Sequence, residues 1–169
     1  HAVLNQQGLD GLAPLGQKNS PQVAGEALEE LSDDLLAINW LNTNVQGQPV
    51  ILEAPGPSYT DTGRIATFTG LPTVIGWETH EWLWRTSSSQ PSAYADLFKP
   101  GQDDVRRMYT TPDKIMRQEL LSQYQVAYIV IGAIEQTTYG TDLQMDSLVS
   151  SGSVVFESKT LKIIRIDSP

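Results

Sequence analysis

The stretch that decides the fold is Val126–Glu135, VAYIVIGAIE. Val126–Ile131 is a short, uncharged run rich in β-branched residues, which reads as a buried strand. Gly132 and Glu135 then fall at its carboxyl end. The longer apolar run, Val126–Ile134, spans nine residues, far short of the roughly 20 that a membrane-crossing helix needs.

Working outward, Thr111-Pro112-Asp113 predicts a helix start, with Thr at the cap and Pro at the first position. Met116, Leu120 and Tyr124 continue it at four-residue steps. On the other side, Thr141 or Asp142 opens a helix through Leu148 that ends near Gly152. Val154–Phe156 and Leu161–Ile166 follow as strands, joined by Ser158-Lys159-Thr160 as a hairpin.

Further upstream, Pro49–Ala54 suits a second buried strand, with Glu53 near its end and a Pro/Gly loop, Pro55-Gly56-Pro57-Ser58-Tyr59, after it. A carboxylate at that place is where open α/β sheets put ligands; it also suits a Glu that caps a neighbouring amide or reaches solvent. Residues 59–69 predict a short helix with Ile65 and Phe68 inward and Gly70 as its stop. Thr73–Gly76 would be a further strand, making 49–76 one βαβ unit. Asp103–Tyr109 reads as a helical turn bearing Arg106 and Arg107.

Leu35, Ile38, Leu41 and Val45 give one apolar helix face, capped by Ser32 or Asp33 and stopped by Gly47. Residues 1–32 read as an extended lead-in with a short acidic helix near Gly25–Leu31, and 33–169 as a single domain. Alternating helix and strand predicts a three-layer α/β domain, its sheet mostly parallel with a C-terminal antiparallel hairpin strand.

At 169 residues the chain can bury a core of ordinary size. Its formal net charge of -9 repels phosphate backbones and argues against nucleic-acid partners. Residues 1–63 hold one basic residue, Lys18, against eight acidic ones, whereas 64–117 hold seven of the eleven basic residues. An anion site would therefore lie in the second region. There are no cysteines, which excludes disulfides and Cys-ligated zinc.

Recognised catalytic patterns are missing. No glycine-rich phosphate loop is present. His80-Glu81 opens like a zincin motif, but Trp84 stands where the second His belongs, and His1 is the only other histidine. No metal and no cofactor is expected. Gly56-Pro57-Ser58-Tyr59-Thr60 begins like a nucleophile elbow, with Thr60 at the second Gly position. A Ser58–His80 dyad oriented by Glu53 or Glu81 would make a hydrolase, although Ser in such a loop is commonly a turn residue.

The most unusual stretch is Arg64–Arg85, RIATFTGLPTVIGWETHEWLWR, with three of the four tryptophans. Trp77, Trp82 and Trp84 beside His80, Glu81 and Arg85 suit a sugar, whose C–H face stacks on rings while its hydroxyls meet polar groups. An Arg there suits a phosphate or carboxylate. The same rings would equally serve as core plugs or docking contacts.

Val50–Thr60, Gly63–Trp77 and His80–Arg85 resemble the Chlor_Arch_YYY family of multi-pass membrane proteins. Asp104-Val105-Arg106, Tyr109-Thr110-Thr111, Val126–Gly132 with Glu135 and Tyr139, and Leu9–Ala13 continue the likeness across most of the chain. The triple-Tyr motif that names the family is absent. The resemblance implies similarity to GT-C glycosyltransferases, which use polyprenyl-phosphate sugars at the outer membrane face. It implies a soluble extracytoplasmic C-terminal domain, not catalytic alone, beside the transmembrane region of the same parent chain. The expected contacts for a sugar, lipid phosphate or glycan acceptor are Glu53, Ser58, Tyr59, Arg64, Trp77, His80, Glu81, Trp84 and Arg85. The competing expectations are a non-catalytic docking module and the soluble hydrolase.

Overall fold

The computed structural model describes the backbone of residues 25–77 and 98–167, and the side chains of 33–77 and 98–167. The expected lead-in before Gly25 lies outside the described residues. The elements run α1 (Gly25–Asn44), β1 (Val50–Leu52), α2 (Arg64–Thr69), α3 (Lys99–Thr110), α4 (Lys114–Gln123), β2 (Val126–Ile131), α5 (Ala133–Tyr139), α6 (Met145–Val149), β3 (Ser153–Glu157) and β4 (Lys162–Arg165), with a 3-10 turn at Gly140–Asp142.

The sheet order is β1-β2-β4-β3. β1 pairs with β2 in parallel, while β2–β4 and β3–β4 are antiparallel. The domain is α/β, and its sheet is mixed. Beyond β1, the expected strand at 73–76 is reduced to a parallel bridge between Ile51 and Thr73. The Ile51 N–H donates to Pro72 O at 2.8 Å. The bridge stays isolated, and no ladder extends from it toward Gly76.

Alternation along the strands divides the core in two. Leu52, Ile129, Ile131 and Ile164 face Val105, Met108, Tyr109, Leu121 and Leu148, which come from α3, α4 and α6. Ile51, Val130 and Ile163 face Ala37, Ile38 and Leu41 of α1 and Ile65 of α2. Helices therefore cover both faces, giving three layers. Each large aliphatic side chain so buried contributes about 1.5–3 kcal/mol.

Several expected boundaries move for local reasons. α1 runs unbroken through Ser32 and Asp33. Asp33 instead accepts from the Thr160 N–H (2.6 Å) and hydroxyl (2.7 Å), tying α1 to the β3–β4 turn. The cap of α4 is Asp113, whose Oδ1 accepts from Ile115 N–H (2.9 Å) and Met116 N–H (3.2 Å). Thr111 ends α3. The expected helix through Leu148 begins as the 3-10 turn and resumes at Met145, while α5 was not foreseen. β2 and the hairpin fall as expected.

Candidate functional site

β1 and β2 end side by side, and their carboxyl ends are joined by Glu135 in the first turn of α5. Glu135 is fully buried. Its Oε1 accepts from Ala54 N–H at 3.0 Å, and its Oε2 accepts from Gly132 N–H at 2.8 Å. The crevice between parallel strand ends, where such sheets hold ligands, is here filled by the protein's own carboxylate. On the opposite face of the sheet, Tyr109 Oη lies 3.0 Å from Leu52 O and 2.7 Å from Val130 O. Burial raises its hydroxyl well above the ordinary range, so it stays a donor.

Arg64, the first residue of α2, is buried against Glu135. Its Nη2 lies 3.4 Å from Glu135 Oε2, and its Nε donates to Asp34 Oδ2 at 2.7 Å. A Cβ on residue 132 would come within 2.7 Å of Arg64 Nη2, so the guanidinium reaches this place only past a glycine. Burial lowers the Arg64 value, but Glu135 and Asp34 outweigh it and hold the guanidinium charged. Burial raises Asp34 despite its bond to Arg64.

Glu53, one residue past β1, is 1% exposed. It caps α2: Oε2 accepts from Ile65 N–H (3.0 Å) and Oε1 from Ala66 N–H (2.9 Å). The cap residue itself, Gly63, lies at φ 72 and has no side chain to offer, so a carboxylate from the preceding strand does the capping. Burial pushes Glu53 up to about 7, with the nearby Glu135 adding to the rise and the two amides and Arg64 offsetting part of it. The capping role weighed for Glu53 in the sequence is the one this geometry displays.

Ser58 and Tyr59 stand on the loop between β1 and α2. Tyr59 is 79% exposed and has φ 62, a left-handed conformation uncommon for a bulky residue. Its ring centroid lies 5.3 Å from that of Trp77 at 48°. Trp77 is half-buried; its Nε1–H donates to Thr62 O at 2.6 Å. A Cβ at Gly63 would sit 3.0 Å from that nitrogen. The two rings form an angled aromatic surface on the loop that Glu53 anchors.

The remaining candidates, His80, Glu81, Trp84 and Arg85, lie outside the described residues, and with them the Ser58–His80 dyad. Among the described residues there is no group of three or more His, Cys, Asp or Glu able to hold a metal. No helix among them is long and apolar enough to cross a membrane. A groove of about 510 Å³ lies at the other end of β2, lined by Lys114, Gln118, Gln125, Ser151 and Asp167 among others. None of the sequence candidates borders it.

Asp34 and Tyr109 were not among the candidates. Asp34 reads as an acid favoured near a helix start, and nothing local marks its partner 30 residues away. Tyr109 reads as an apolar helix residue, and its acceptors belong to two strands distant in sequence.

The structure defines an α/β domain with a mixed four-stranded sheet. No protein-family model matches the chain, so the Chlor_Arch_YYY resemblance has no support from that comparison. No curated protein matches either. Among solved structures, the chain is similar to the C-terminal globular domain of an oligosaccharyltransferase from Archaeoglobus fulgidus. The two share 14% identity at a TM-score of 0.45, over 79% of this chain and 97% of that one. A likeness of that size transfers neither fold nor activity.

Proposed function

We propose that the chain is a non-catalytic, extracytoplasmic α/β module of a membrane glycosyltransferase-like protein, offering Tyr59 and Trp77 as a sugar-contact surface. The membrane context comes from the sequence resemblance over 50–85 and 104–139. The parent's transmembrane region would complete the site, with a polyprenyl-phosphate sugar or glycan acceptor as its ligand. One observation carries the division of labour. Glu53, Arg64 and Glu135 bond to one another or to backbone amides within the fold, while Tyr59 stands out in solvent beside the Trp77 ring. Aromatic faces are what a sugar's C–H surface recognises. Arg64 and Glu53 then act from behind, by fixing the loop.

A docking module is the second reading, favoured by the same internal satisfaction of the charged residues. The two separate in a titration of the chain with chitobiose or maltose, read by tryptophan fluorescence. A saturable change that disappears in Tyr59→Ala supports sugar contact. No saturable change in the wild type would leave docking. Release of sugar from an activated glycoside by the chain alone would overturn the non-catalytic assignment.

A further inference from the structure

Tyr59 precedes α2 and Trp77 follows it, and Thr62 links the two. It stands directly before Gly63, the cap of α2, so its backbone is set by the helix that Glu53 holds. Its carbonyl accepts from the Trp77 indole at 2.6 Å. Its side chain reaches back into the loop.

There Thr60 Oγ1 lies 2.7 Å from Pro57 O and 2.7 Å from Thr62 Oγ1. A hydroxyl has one proton to give. With the Thr60 proton on Pro57 O, the Thr62 hydroxyl donates to Thr60, and the two form a relay. The direct distance from Thr62 Oγ1 to Pro57 O is 3.4 Å, so the relayed path is the tighter one. The bond from Thr60 to Pro57 closes the turn over Ser58 and Tyr59. Tyr59 is thereby kept at its left-handed φ of 62, which a bulky residue adopts only under constraint. The Thr62 methyl packs where a Cβ on Gly56 would come within 2.6 Å of it. One residue thus fastens the Tyr59 turn through its side chain and the Trp77 ring through its carbonyl.

We propose that Thr62 is a positioning residue for the aromatic surface: its hydroxyl sets the Tyr59 ring against Trp77, so that a sugar meets two rings already in place. The purpose rests on the sugar-contact reading, whereas the placement of the rings rests on the loop geometry alone. Centroids 5.3 Å apart leave no room for a sugar between the rings. The ligand class is therefore a pyranose with an unbroken C–H face, stacked on the exposed side of Tyr59 with its rim toward Trp77. Forming the surface beforehand spares the ligand the cost of ordering it. Without the hydroxyl the loop samples other turns, and apparent affinity falls with the fraction of chains that keep the ring pair. A hydrogen bond of ordinary strength biases such an equilibrium by about two- to tenfold.

Thr62→Val keeps the branched shape against Gly56 and removes the relay, while Thr62→Ser keeps the hydroxyl. In the free wild-type chain, proton cross-peaks between the Tyr59 and Trp77 rings should be strong. They should weaken in Thr62→Val and return in Thr62→Ser. In a chitobiose titration followed at the Trp77 Nε1–H, Kd should rise about two- to tenfold in the valine variant. The serine variant should bind as the wild type does. A wild-type chain that does not bind chitobiose sinks the sugar reading, and the ring cross-peaks of the free chain still decide on Thr62. Undiminished cross-peaks in Thr62→Val would overturn its positioning role, whatever the sugar does. If Thr62→Val does not fold, the wild-type chain suffices. Three-bond couplings of Thr62 should report a single χ1 rotamer, and averaging over rotamers there would overturn the relay.

Discussion

Arg64 Nη2 and Glu135 Oε2 lie 3.4 Å apart, the first side chain 7% exposed and the second not exposed at all. The pair joins the start of α2 to the start of α5 across the ends of β1 and β2. An arginine at the head of the most unusual sequence block is thus directed into the protein and away from its surface.

Removing one partner of such a pair leaves the other buried and uncompensated, at about 3–5 kcal/mol. Arg64→Met should therefore lower unfolding free energy by roughly that amount in urea denaturation. Arg64→Lys should recover little, because one ammonium cannot serve Asp34 and Glu135 with the planar fork they now share. Full recovery by lysine would mean that only the charge matters.

Arg117 is a buried arginine of a different kind, with no acidic partner among the described residues. Nε donates to Met108 O at 2.8 Å, and its other nitrogens bond Thr111 O and Ser147 Oγ. Two of these acceptors are carbonyls at the end of α3, where the helix dipole favours a cation. Burial lowers its value from the ordinary arginine range. Arg117→Met keeps the volume but orphans those carbonyls, so a loss of about 2–4 kcal/mol is expected, measurable by the same unfolding curves.

Tyr109→Phe tests the bonds beneath the strand ends. The ring and its stack on Tyr139 remain, and only the hydroxyl between Leu52 O and Val130 O is lost. Stability should fall by about 1–2 kcal/mol with little change in the far-ultraviolet spectrum. No loss would mean that the carbonyls are satisfied by the sheet alone.

Glu53 makes a pH-dependent contribution to global stability with a definite sign. A carboxyl whose folded-state value lies above its unfolded one binds its proton more tightly in the fold. That contribution is complete below the ordinary value of 4.5 and lost as pH rises through about 7. The wild-type chain should lose stability relative to Glu53→Gln between pH 5 and 8. A flat difference across that range would contradict the assignment.

Local patterning made much of this fold legible. Val126–Ile131 appears as β2 with the expected bounds, because an uncharged β-branched run flanked by a turn and a glycine has few other uses. Gly70, at φ 71, stops α2 as its position suggested. The hairpin was legible for the same reason. What escaped depended on partners far along the chain. Asp33 resembles a helix cap, but its carboxylate is drawn to Thr160, 127 residues away. Thr111 and Asp113 both suit a cap, and only geometry separates them. Thr73–Gly76 has strand-like residues, yet it pairs only through the Thr73 bridge to Ile51. At the site, Glu53 and Arg64 were readable as special but not as inward-facing, since burial of a charge is decided by what surrounds it. Tyr59 and Trp77 are brought together by the Gly63 turn, which sequence spacing does not display.

The division between an internal charged junction and an external aromatic surface meets its most direct test in one spectrum. Isotope-labelled chain is titrated with chitobiose while the Arg64 Nε–H and Trp77 Nε1–H signals are followed together, each assigned by its variant. The Trp77 signal should shift saturably and the Arg64 signal should stay in place. An Arg64 shift as large as that of Trp77, or no movement of Trp77 at saturating sugar, would contradict it.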